Sequence, residues 1–416
     1  MDAATGKRLR NKCPENRSTA TVNGRVELKR RRWQIKDVGT CTPMDQLLDK
    51  AEATISLGLR MLCCRQNADA RSFDKAAETL AEVGQVRVSG ELLRQVVEAE
   101  GKRALALAES EELRPAWTVE DCRTTTPDGR SVRRVYVGAD AYLVSLITDD
   151  EKNKRRGKVS EKRQKRGKKA RPLGRRKRGS DQRWKEIKAV TFYSEDMKCR
   201  QTSITQGNCD GLGRRMRRDA ENLEFHRAEE RVGNVDGGPW IIRQFDRRLN
   251  TSAVGLDFYH LGQNVHKTKN TVFGEKNPLG EKWVGDILHN VKHEGYQRIW
   301  NDLLELRKET RGVKRKEVDR VLAYVSDRRE MIRYPEFIAK GWQIGSGPME
   351  SQCRVLSDRV RGSGMRWDAD NAEAVMALEA MEQSNQWPQY WKLAMLHNNS
   401  TLPGKIATPT TSTTTL

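Results

Sequence analysis

No stretch of this 416-residue chain approaches the roughly 18 consecutive apolar residues that a membrane-spanning helix needs. The opening segment, MDAATGKRLRNK, lacks the apolar centre of a secretory signal, so a soluble protein of the cytoplasm is expected, and no membrane partner. Cysteine is sparse and unpatterned. The eight residues at 13, 41, 63, 64, 122, 199, 209 and 353 form no CxxC pair, which argues against a zinc ribbon or a disulfide framework and for reduced thiols. The six histidines show no HExxH spacing, and His289 and His293, four apart on an expected helix, read as solvated side chains. Acidic charge is the remaining shortage. Lys and Arg number 78 against 57 Asp and Glu, a formal net charge of +21 with a pI near 9.7. Self-repulsion on that scale is best tolerated beside phosphates, which makes nucleic acid the expected partner. What is abundant enough is apolar content: 36 % suffices for a sizeable core and two or three domains, and excludes a disordered chain.

Residues 1–42 form a basic N-terminal segment in which Thr21–Leu28 alternates like a hairpin or edge strand, followed by Arg30, Arg31, Arg32 and Trp33. From 43 to 125 the pattern is mainly helical. Leu47, Leu48, Ala51 and Ile55 make one stripe, and Ala76, Leu80, Val83 and Val86 another. Ser89 caps a third helix through Val97 that suits either a helix-turn-helix or plain helical packing, so this region is the expected N-terminal DNA-binding domain. Strand-like sequence runs from Ser131 to Thr148, with Asp140 interrupting it. Gly138-Ala139-Asp140 reads as a hairpin turn or as a carboxylate kept for a ligand.

Residues 152–178 carry 16 Lys or Arg and one acid, Glu161, which is +15 of the total. The run reads as a loop that cannot fold on itself and awaits phosphate; no aromatic interleaves it, so base reading is not expected there. Strands follow at Trp184–Tyr193, near 235 and at 252–256, with a polar helix over 210–231. Asp236 stands before Gly237-Gly238-Pro239, as a turn residue or a ligand. Asp257 and His260, three apart at a helix start, share a face, so the carboxylate is expected to orient the imidazole. Residues 266–340 read as all helical, and a Ser/Thr/Pro tail spans 399–416. Between them lies Gly345-Ser346-Gly347-Pro348-Met349-Glu350-Ser351, whose glycines turn the chain and whose proline opens a helix. Met349, Cys353, Leu356 and Val360 give that helix a buried stripe, and Glu350 sits at its edge, as a cap or a ligand. Asp140, Asp236 and Glu350, brought together by a mixed sheet, would suit two divalent cations in phosphodiester chemistry.

The stretches Tyr136–Asp140, Asp236–Ile241, Leu256–His260, Gly345–Ser351 and Arg361-Gly362-Ser363-Gly364-Met365-Arg366-Trp367 together resemble insertion-sequence DDE transposases of the ISKra group, relatives of Mutator-like elements. The resemblance covers about residues 20–395. It implies an α/β protein with a ribonuclease H-like mixed sheet: core parts at 126–265 and 341–398, the latter carrying the glutamate helix, and the all-helical module at 266–340 inserted between them. It also implies Asp140, Asp236 and Glu350 as catalytic ligands of two Mg2+ or Mn2+ ions, with Asp257 and His260 as an accessory pair. DNA contacts are expected from Arg155, Arg156, Lys165, Arg166, Lys168, Lys169, Arg175, Arg176, Lys177, Arg178, Arg354, Arg361, Arg366 and Trp367. The implied activity is cleavage at transposon ends to free a 3′-OH and its transfer into target DNA, by a homo-oligomer at the nucleoid. A decayed or domesticated derivative that only binds DNA is the alternative.

Replacing the lysines and arginines of 152–178 by glutamine is expected to flatten the salt dependence of DNA affinity by several units of slope, about one for each phosphate no longer neutralised. Fluorescence anisotropy with duplex DNA across a salt series measures it; an unchanged slope would mean that the run faces only solvent.

Overall fold

The structure, a computed structural model, describes residues 8–35, 39–42, 55–170 and 183–397. The stripe through Leu47, Leu48 and Ala51, the residues Arg175, Arg176, Lys177 and Arg178, and the tail from 399 lie outside the described residues. The chain divides into two units, one of Met1–Leu113 with Gln386–Leu416 and one of Arg114–Asn385. The division therefore falls before 125, and the last described helix groups with the first unit.

In the first unit, β1 (Leu9–Thr21) and β2 (Gly24–Ile35) form an antiparallel ribbon around a two-residue turn at Val22 and Asn23, and β3 (Gly39–Cys41) pairs with β2. The ribbon is far longer than the alternating stretch at 21–28 suggests, because charged pairs across the strands extend it. Glu15 lies opposite Arg30. Three helices follow: α1 (Leu57–Asp69), α2 (Phe73–Glu82) and α3 (Gly90–Glu109), capped by the hydroxyls of Ser56, Ser72 and Ser89. They pack with the helix Trp387–His397 around a buried carboxylate. Glu100 accepts from Arg60 Nη1 at 2.7 Å, from Arg103 Nη1 at 2.8 Å and from the Tyr390 hydroxyl at 2.6 Å.

In the second unit the sheet order is β7-β6-β5-β8-β9, with β4 (Arg123–Thr125) paired to β5. The strands are β5 (Ser131–Ser145), β6 (Trp184–Tyr193), β7 (Arg200–Thr205), β8 (Glu230–Val235) and β9 (Ala253–Leu256). β5, β6 and β7 run antiparallel in succession, whereas β8 and β9 lie parallel to β5, which gives a mixed α/β sheet.

Two expectations need correction here. No turn interrupts β5: Asp140 sits within the strand, in register with Ala189. The basic run, expected not to fold by itself, begins as α4 (Asp149–Gln164), a helix with no buried residue. Its amino end explains it. Thr148 caps it, and Asp149, Asp150 and Glu151 complement the helix dipole, while Lys and Arg are good helix formers.

Helices α5 (Cys209–Asn222) and α6 (Pro239–Arg248) flank β8 in sequence. The expected helical module is present as α7 (Phe258–Val272), α8 (Pro278–Glu294), α9 (Tyr296–Glu309), α10 (Gly312–Ser326) and α11 (Tyr334–Ala339). The predicted stripe residues Ile287, Val291, Ile299, Leu303, Val318, Val321 and Val325 are buried, and Trp283 packs against the same core. Then come α12 (Gly347–Asp358) and α13 (Ala369–Gln383). Among the described residues no helix is long and apolar enough to cross a membrane.

Alternation along β5 puts Gly138, Asp140 and Tyr142 on one face, and α12 lies across that face. A methyl at Gly138 would stand 2.8 Å from Met349 Cβ, so the glycine sets how closely helix and strand approach. Gly138→Ala is expected to cost about 1–3 kcal/mol by overpacking. It should also displace Glu350, the neighbour of Met349. Urea denaturation measures the cost.

Candidate metal centre

β5 and β8 pair in parallel as far as Val137 opposite Gly233. Asp140 and Asp236 each lie three residues beyond that last pair, which brings them to neighbouring places at the same edge of the sheet. Asp236 follows the end of β8, and its Oδ1 accepts the Gly238 N–H at 2.8 Å. Gly237, at φ +84, makes that turn, and a side chain there would meet Arg328 and Leu256. The Gly237 carbonyl accepts from Arg328 Nη2 at 2.7 Å and Nε at 3.1 Å, and the guanidinium stacks on Tyr324 at 4.1 Å. The module between β9 and α12 thereby fixes the turn that carries Asp236. Sequence reasoning missed Arg328, since it stands beyond the last stripe residue of α10 and no local pattern marks it.

Glu350 occupies the first turn of α12, opened by Pro348 as expected. Its Oε1 lies 3.2 Å from His260 Nε2 and 3.4 Å from the Ser346 hydroxyl. Asp140 accepts the N–H of Ala141 at 2.6 Å. Burial raises the Asp140 pKa above the usual carboxylate value, the charges of Asp236 and Glu350 raise it further, and the Ala141 N–H and His260 oppose the rise. Asp236, Glu350 and His260 therefore each lie within electrostatic reach of Asp140. Carboxylates that repel one another are what hard divalent cations relieve, but among the described residues Asp140, Asp236 and Glu350 do not form a group with ligand atoms all within 4.8 Å of one another.

Asp257, which is buried, His260, which is half-buried, and Glu350, which is exposed, also present ligand atoms within 4.8 Å of one another, a group that could hold a metal ion. Asp257 is poorly placed to share in it. It is 2 % exposed, its Oδ1 accepts the backbone N–H of His260 at 2.7 Å, and its Oδ2 accepts the backbone N–H of Ser346. The expected orientation of the His260 ring by Asp257 is thus not what is found. The carboxylate caps α7 and tethers the segment before α12, while the imidazole is placed by Gln263 Oε1, 3.1 Å from Nδ1, and by Glu350.

An open cavity of about 440 Å³ lies beside the carboxylates, lined by Asp140, Glu350, Cys353, Arg354 and Arg361. Arg354 and Arg361 are exposed there, and burial beside Asp140 pushes the Cys353 thiol up. On α4 and the turn after it, Arg155, Arg156, Lys165, Arg166, Lys168 and Lys169 are exposed. Arg366 is exposed and paired with Glu151. Trp367 is buried, its indole N–H donates to the Val360 carbonyl at 2.9 Å, and its backbone bonds to Ser145 and Ile147. Its backbone holds the loop to the end of β5, and the buried ring presents no face to a base.

A family model described as "Uncharacterised protein family (UPF0236)" matches residues 4–207. The matched span includes the ribbon, Asp140 and the basic helix, and it ends before Asp236 and Glu350. No curated protein matches the chain.

The raised pKa of Asp140 has a consequence for stability. The folded state holds this proton more tightly than the unfolded chain, whose aspartates titrate near ~3.9. Ionisation therefore costs stability once pH exceeds the folded-state value, and costs nothing below the unfolded one. In EDTA, Asp140→Asn is expected to melt at a higher temperature than the parent at pH 7, with the advantage gone below about pH 4. Added Mg2+ or Mn2+ should raise the melting temperature of the parent more than that of the variant. Thermal melts followed by circular dichroism check both.

Proposed function

We propose that this protein is a DDE-type transposase of the ISKra-like, Mutator-related kind, built on a ribonuclease H-like core. What supports the reading is that Asp236, after β8, and Glu350, on α12, both act electrostatically on Asp140 of β5, in a sheet with three antiparallel strands followed by two parallel ones. The expected helical module between the second and third carboxylates supports it.

In this reading Asp140, Asp236 and Glu350 hold Mg2+ or Mn2+, with Asp257 and His260 accessory. Two such ions, when bound, activate the attacking oxygen and stabilise the leaving oxygen of an in-line displacement. The chain's own residues do the positioning. Asp257 holds the starts of α7 and α12 together, Arg328 holds the Asp236 turn, and His260 holds Glu350. Arg354 and Arg361 offer cations to a phosphate beside the carboxylates. In the first step a water oxygen attacks phosphorus at a transposon end and the P–O3′ bond breaks, leaving a 3′-OH. In the second that 3′-oxygen attacks a target phosphate and displaces the target's own 3′-oxygen.

Transposon-end and target DNA would be the partners, engaged by a homo-oligomer in the nucleoid-associated cytoplasm. The exposed cations of α4 supply sequence-independent attraction. A duplex carrying the DNA that flanks the coding region, with Mg2+ or Mn2+, tests the reading. Nicking and strand joining are expected, and Glu350→Gln should lower both at least about 100-fold, as loss of an electrostatic catalytic group does, with duplex affinity nearly unchanged. Binding by the parent protein without cleavage under either ion would favour the domesticated DNA-binding alternative.

A further inference from the structure

The ribbon of β1 and β2 has two chemically different faces. The register pairs Asn16 with Lys29, Ser18 with Glu27 and Ala20 with Arg25, and places Arg31 opposite Pro14. Directly paired residues share a face, so Arg25, Glu27, Lys29, Arg31 and Asn16 stand together on a face that is largely open to solvent. The other face, which carries Arg17, Arg30 and Arg32, is partly enclosed, and its carboxylate, Glu15, is shared by two of those arginines. Glu15 lies 3.3 Å from Arg30 Nη2 and 3.6 Å from Arg32 Nη1, and the Arg30 side chain is largely buried.

We propose that the face carrying Asn16, Arg25, Glu27, Lys29 and Arg31 lies in the major groove of double-stranded DNA and reads base edges there, an inference that rests on DNA being the partner. A two-stranded ribbon is one of the few elements the groove of about 12 Å admits. The groups on this face are the ones that discriminate bases: Arg and Lys donate to guanine O6 and N7, Asn pairs with adenine N6 and N7, and Glu accepts from cytosine N4. A purely electrostatic surface would need neither Asn16 nor Glu27. The other face differs in exposure: Arg17, Leu28, Arg30 and Arg32 are all partly enclosed there, and Arg30 and Arg32 share Glu15. This assigns sequence recognition to the ribbon, whereas the sequence pattern alone points to the helices after residue 43.

The test uses the full-length protein and a library of duplexes with a randomised central segment. Rounds of selection with the parent, Asn16→Ala, Arg31→Ala and the charge-preserving Arg31→Lys are compared, and melting curves confirm folding. The parent is expected to enrich a motif whose guanine N7 atoms it protects from dimethyl sulfate. Asn16→Ala and Arg31→Ala should each lose preference at one or two base pairs and bind the parental motif about five- to 150-fold more weakly, while affinity for bulk DNA changes far less. Arg31→Lys should weaken the preference less than Arg31→Ala, because lysine still donates to guanine O6 and N7 but lacks the guanidinium fork. Enrichment of the parental motif with undiminished strength by all three variants overturns the proposal. So does a preference for A-form RNA duplex, whose deep, narrow major groove side chains cannot read. Ribbon-dependent selection by a protein that never cuts DNA would uphold this inference while the transposase reading fails.

Discussion

The second unit depends on one close approach. Gly138 lacks the carbon that would strike Met349, so α12 can lie directly on β5, and Glu350 enters on the face that carries Asp140. Every other feature of the site presupposes that approach. The β5–β8 register carries Asp236 to the same edge only because β5 continues through Asp140 without a turn. Two charged groups on a strand and a helix repel across such a short gap, and the buried stripe of Met349, Cys353 and Leu356 provides the apolar packing that holds the elements together against it.

Much of this was legible in residue patterns. Pro348 after a glycine marks a helix start, β6 is bounded as its apolar sequence suggests, Ser89 caps its helix, and the stripes of the helical module are buried. These features are local, and local chemistry decides them. The departures have a common physical origin in longer-range partners. Asp140 looks like a turn residue because a carboxylate within an apolar strand is costly, and only neighbours from distant sequence reveal why it is kept there. β7 went unrecognised because its polar sequence, Arg200–Thr205, is buried by α13, and the side chain of Ser384 accepts the Thr202 N–H at 2.9 Å. Charge alone concealed α4, whose acidic first turn counts for more than its overall repulsion. Arg328 offers no periodic or spacing signal, since its role is to meet a carbonyl 91 positions earlier.

The net charge of +21 is distributed with a purpose that composition alone does not disclose. In the first unit, Arg30 and Arg32 on one face of the ribbon share Glu15, whereas Arg25, Lys29 and Arg31 on the other face are exposed. In the second, exposed cations cover α4 and its following turn, whereas the cavity beside Asp140 combines carboxylates with Arg354 and Arg361. A surface meant only for solubility would intersperse the signs. Exposed bases along α4, and a cavity that joins Asp140 and Glu350 to Arg354 and Arg361, form the arrangement that the proposed grip on a polyanion would use.

Asp257 shows how such a centre is kept in shape without being a ligand. One of its oxygens takes the His260 N–H and starts α7; the other takes the Ser346 N–H just ahead of α12. The Phe258 N–H donates to the Ile344 carbonyl at 2.9 Å alongside. A single buried carboxylate thus joins the helix that bears His260 to the helix that bears Glu350. Its charge is satisfied by backbone N–H groups, so little of it remains to bind an ion, and its geometry is set by two elements rather than one. Glu350, with 44 % of its side chain exposed, keeps the freedom that Asp257 gives up. The division of labour follows from burial: the enclosed carboxylate fixes backbone, and the open one is left to meet what enters the cavity.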